Sequence, residues 1–79
     1  MVRDEDAIGC EGVLVLPTRG PAGPGEVLVR IRGGTETFIA WSEQPLPRGT
    51  TVLLIDFRSA RTVDVMEWIG SPDNNEEIG

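Results

Sequence analysis

The chain has 79 residues, a mass of 8.6 kDa and a formal net charge of −6, enough for one small domain with a thin core. All seven basic residues are Arg, and Lys, His and Tyr are missing. This excludes Schiff-base chemistry and lipoyl or biotinyl attachment, and removes the commonest general base and metal ligand. The single cysteine, Cys10, can build neither a disulfide framework nor a thiolate zinc site.

Residues 1–7 read as a flexible N-terminus, with Arg3 outnumbered by Asp4, Glu5 and Asp6. The body spans 8–69 and is nearly neutral. Residues 70–79, with Asp73, Glu76 and Glu77, read as a disordered acidic tail. The longest aliphatic runs are 13–16 and 52–55, far short of the roughly 20 apolar residues of a membrane span. The expected location is cytoplasmic, or the soluble domain of a membrane protein.

Inside the body, ten Gly and six Pro separate short β-branched stretches. The first strand is expected at 11–16. The loop at 18–25, rich in Gly and Pro, reads as a mobile loop and, as the first inter-strand loop, a minor binding candidate if the strands close into an OB-type barrel. The second strand, 26–32, alternates cleanly: Val27, Val29 and Ile31 share one face, and Glu26, Arg30 and Arg32 the other. Gly33 and Gly34 suit a type I′ turn, so a hairpin leads into a third strand at 35–41. An irregular connection with two prolines follows at 42–49. A fourth strand at 50–57, a turn at 58–61 and a fifth strand at 62–68 complete the set. Five short strands without a helix predict an all-β module. Closing them removes exposed edges, so a five-stranded OB-type Greek-key barrel is expected. A KOW-type small barrel and a two-sheet sandwich are the alternatives. Val29, Val52 and Val63 are expected to line the interior.

Several ordered pieces resemble a known family. They are Ile8-Gly9-Cys10-Glu11-Gly12 running into an aliphatic strand, Gly25 to Gly33, Phe38 and Ala40 with Ser42 after them, Leu46-Pro47-Arg48-Gly49-Thr50-Thr51-Val52, and the closing Val63 and Val65. Their order resembles the C-terminal soluble domain of the NfeD family. The resemblance implies a small OB-type barrel that partners stomatin-like (SPFH-type) membrane scaffold proteins. It implies no catalytic residue in this domain, no cofactor and no metal. The family's membrane-embedded and protease portions have no counterpart here, so the sequence reads as an excised domain or a stand-alone relative.

If Phe38 and Ala40 point inward, Ile39 and Trp41 point outward. Ile39, Trp41 and Leu53 form the expected partner-binding face. The bland reading is that the 42–49 connection or the tail folds over them. Trp68 has the same ambiguity, and a barrel-end cap is its plainer role. A rival from another class is a weak single-stranded nucleic-acid site built from Arg30, Arg32 and Trp41. The neutral body and the neighbouring Glu26 and Glu36 weigh against it, since cross-strand ion pairs account for those arginines more simply. Self-association through the Trp face is a third reading. Cys10 reads as a small hydrophobe. Asp56 and Asp64 read as ion-pair partners of Arg58 and Arg61.

Overall fold

The structure is a computed structural model that describes residues 7–31 and 33–69. The expected acidic tail, Arg32 and residues 1–6 lie outside the described residues. Ala7 lies inside them and is fully buried.

Five strands form in chain order: β1 (Glu11–Leu16), β2 (Gly25–Ile31), β3 (Gly34–Trp41), β4 (Thr51–Ser59) and β5 (Thr62–Glu67). They close in the order β1-β2-β3-β5-β4, with β4 returning to β1. β3 and β5 pair in parallel and every other neighbouring pair is antiparallel. This is the OB-type Greek-key barrel expected from the sequence.

Period-two alternation decides what fills the barrel. Leu14, Val27, Val29, Phe38, Ala40, Val52, Leu54, Val63 and Val65 point inward and form the core with Ala7, Ile31 and Leu46. The three valines expected inside, Val29, Val52 and Val63, are all fully buried. Phe57 packs against this core and meets Phe38 edge-on, with ring centroids 5.7 Å apart. Gly12 also points inward, opposite Val29 on one side and Val52 on the other. No side chain fits there, because a Cβ on Gly12 would meet Val27 and Val29.

Three local features depart from the sequence reading. Gly34 pairs with Ile31 as the first residue of β3. The hairpin turn therefore sits one residue earlier than Gly33-Gly34, with Gly33 at φ 84° supplying the left-handed conformation. β4 does not stop at Phe57 but runs to Ser59. Register shifts between Leu54 and Asp56 and between Phe57 and Ser59 absorb the extra residues as bulges. Ala60 and Arg61 alone then turn the chain, with Arg61 at φ 69°.

The third departure is the 17–24 loop, which is tied down. Thr18 is buried, and its hydroxyl lies 2.6 Å from the Ser42 hydroxyl and accepts the Leu46 amide at 2.9 Å. The Thr18 amide donates to the Leu46 carbonyl. The Arg19 amide donates to the Gly23 carbonyl and the Ala22 amide returns to Arg19. The glycines that make the segment look mobile are the ones that let it pack: Gly20 and Gly23 are buried. This network clamps the β1–β2 loop to the connection between β3 and β4, and so shapes one wall of the groove described next.

Candidate protein-interaction groove

Trp41 is the last residue of β3 and stands opposite Asp64 of β5. Asp64 stands opposite Asp56 of β4. Alternation places Trp41 and Asp64 on the outer surface, and the bulge between Leu54 and Asp56 brings Asp56 there too. Ile55, which alternation turns outward next to the buried Leu54, is 46% exposed on the same side. Met66, two residues beyond Asp64, is 48% exposed. Pro21 and the 42–44 segment rise at one end of this surface. The result is an open groove of about 930 Å³ with Trp41, Leu46, Ile55 and Met66 among its lining residues.

Its charged residues are Glu43, Asp56, Arg58, Asp64 and Glu67. Arg58 Nε donates to Asp64 Oδ1 at 2.7 Å, and its guanidinium carbon lies 4.8 Å from the centre of the Trp41 ring. That contact exists because β4 continues past Phe57. A turn at Arg58, as expected from the sequence, would have directed the side chain elsewhere. Asp56 Oδ1 accepts the Phe57 amide at 2.8 Å. Arg61 pairs with Glu36 at 2.9 Å and lies over Phe38. The expected pairing of Arg58 with a strand aspartate thus forms, while Arg61 goes to β3 instead.

The other expected site residues are dispersed. Ile39 is 43% exposed and opposite Glu26. Near it, the exposed Val13 and Leu28 stand opposite each other, so Ile39 adjoins an aliphatic patch on β1 and β2. Leu53 is half-buried beside Met66 and Glu11. Neither Ile39 nor Leu53 lines the Trp41 groove. Trp68 is half-buried just past β5, its amide donating to the Thr51 carbonyl.

Of the expected nucleic-acid face, Arg30 and Trp41 lie apart. Arg30 is opposite Thr35. That is six residues before Trp41 on β3, roughly 20 Å at strand spacing. Glu36 lies opposite Val29 and not opposite Arg30, so the expected ion pair between Glu36 and the β2 arginines gives way to the one with Arg61. Arg32 lies outside the described residues. Cys10 is half-buried against the core, as a small hydrophobe would be. No group of three or more His, Cys, Asp or Glu among the described residues is placed to hold a metal ion. Among the described residues, no helix is long and apolar enough to cross a membrane.

The sequence reading missed Ile55 and Met66, and reached Pro21 only through its loop. Pro21 sits in a loop whose packing depends on Thr18, 24 residues from Ser42 in sequence. Ile55 was legible by alternation, on the Leu53 side of β4 and away from the buried Val52 and Leu54. Met66 was legible, because it shares the Thr62, Asp64 and Trp68 side of β5.

The family model for the NfeD C-terminal domain matches residues 11–66, from the first residue of β1 to the penultimate residue of β5. The chain belongs to the NfeD family. Among solved structures, this NfeD domain is similar to the soluble domain of the NfeD protein YuaF from Bacillus subtilis. The two share 31% sequence identity with a TM-score of 0.71, over 82% of this chain and 77% of that one. No curated protein matches.

Proposed function

We propose that this NfeD domain is a non-catalytic protein-interaction module, the soluble domain of a membrane protein, that docks a stomatin-like (SPFH-type) scaffold protein. The family assignment supports the class of partner. The observation that carries the contact site is Trp41, a half-buried indole lining an open groove on a barrel whose two phenylalanines pack in the core, Phe38, or against it, Phe57. Tryptophan in a concave, partly desolvated setting is a favoured anchor of protein interfaces. Ile39, two residues before Trp41 on β3, and Leu53, opposite the groove residue Met66, extend the proposed contact beyond the groove's own lining.

Calorimetry between the full chain and the soluble region of a stomatin-like protein from the same genome tests this. Saturable binding that weakens in Trp41→Ala, with the barrel intact, is expected. Absence of binding at low and moderate salt overturns the choice of partner. Oligonucleotide retention that falls steeply as salt rises would instead favour single-strand binding. The separation of Arg30 from Trp41 and the acidic groove give that outcome no support.

A further inference from the structure

The groove also specifies what kind of segment it holds. We infer that it takes an extended, cationic stretch of the partner protein in which Arg or Lys and an aliphatic side chain recur two residues apart. The inference rests on the proposal that the partner is a protein, and it commits to that partner's chemistry.

Two observations point the same way. The first is charge. Of the charged residues lining the groove, four are carboxylates and only Arg58 is basic. Arg58 is engaged with Asp64. Glu43, Asp56 and Glu67 have no ion-pair partner among the described residues. The second is spacing. Asp56 faces Asp64 across the β4–β5 pair and Met66 is two residues on from Asp64 on the same surface, so Asp56 and Met66 are diagonal neighbours about 7–8 Å apart. An extended peptide presents alternate side chains at the same interval, so cation and aliphatic group reach carboxylate and thioether together. Arg58 already displays the local chemistry, a guanidinium held by one carboxylate and the Trp41 ring.

The same charge argument disfavours other occupants. Residues 70–79 carry Asp73, Glu76 and Glu77 and no base, so the chain's own tail is repelled. A second copy docked groove to groove would oppose acidic rim to acidic rim. Nucleic acid and anionic lipid surfaces are repelled likewise.

The test is an amide NMR titration of the full chain with a short capped peptide of Arg and Leu at alternate positions, separated by Ser. Two control peptides replace every Arg by Glu or every Leu by Ser. The expected result is salt-sensitive binding of the Arg–Leu peptide alone, with shifts at the Trp41 indole, Ile55 and Met66. Asp56→Asn combined with Glu67→Gln, two surface changes that leave the core alone, should weaken it about two- to thirtyfold. Equal binding of the Glu peptide, shifts confined to Val13 and Leu28, or no binding overturns the inference. So do contacts from 70–79 to the Trp41 ring in the free protein, or a dimer that buries Trp41. Failure here is separable from failure of the proposed partner. A stomatin-like protein that binds wild type and the Asp56/Glu67 variant equally leaves that partner standing and removes the cationic segment. Peptide binding without stomatin binding does the reverse.

Discussion

Replacing Gly12 with Ala puts a methyl group where the barrel has no room. A Cβ there would lie 2.7 Å from Val27 Cγ2, 2.9 Å from the Leu28 carbonyl oxygen and 3.0 Å from Val29 Cγ2. Favourable carbon contacts lie near 3.5–4.0 Å. Both valines are fully buried and stiff at χ1, and the third contact is backbone, so β2 itself must move. Overpacking of this kind costs about 1–3 kcal/mol, against about 0.4–1 kcal/mol gained by stiffening the unfolded chain. The net is a loss of about 1–2 kcal/mol. In a domain of this size each kcal/mol moves Tm by about 4–8 °C, so Tm should fall by about 5–15 °C. Thermal unfolding followed by circular dichroism reads this. A Val27→Ala background removes the nearest contact, and the double-mutant cycle should show a coupling of about 0.5 kcal/mol or more. An unchanged or raised Tm in Gly12→Ala, or strict additivity with Val27→Ala, would refute the argument that the interior at Gly12 is full.

Three further outcomes follow from the geometry. Thr18→Val keeps the shape but leaves the buried Leu46 amide without its side-chain acceptor; it should cost about 1–3 kcal/mol and speed hydrogen exchange at Leu46. Arg61 holds φ 69° and an exposed pair with Glu36. Because the pair is worth at most about 1 kcal/mol and the backbone favours glycine, Arg61→Gly should be at least as stable as Arg61→Ala in urea titrations. Arg58→Ala removes the cation above Trp41. In a Trp68→Phe background, Trp41 emission should shift to the red and become more accessible to acrylamide.

Much of the barrel could be read from the residues because burial and alternation agree there. β2 is the clearest case: Val27, Val29 and Ile31 are inside as period two requires, and β1 begins and ends where the sequence places it. Errors cluster where the chain breaks period two. The β4 bulges cannot be seen in the run 54–59, yet they extend the strand, turn Asp56 outward and bring Arg58 to Trp41. The hairpin slipped by one residue because either of two adjacent glycines could take the left-handed position, and only pairing of Gly34 with Ile31 distinguishes them. The 17–24 loop looked mobile because local composition carries no record of the Thr18–Ser42–Leu46 network. The contact face followed the same rule. Trp41 was found from alternation within one strand. Its groove partners come from β4, β5 and a distant loop, and alternation within single strands cannot show that Leu53 meets Met66 and not Trp41.

The central claim is that Trp41 anchors a protein partner on this barrel. The most direct measurement is the affinity of wild type and Trp41→Ala for the soluble region of a stomatin-like protein from the same genome, with equal Tm values confirming that both are folded. A buried anchor of this kind contributes about 2 kcal/mol or more, so the variant should bind at least about thirtyfold more weakly. Equal affinities in two equally stable proteins would contradict the account.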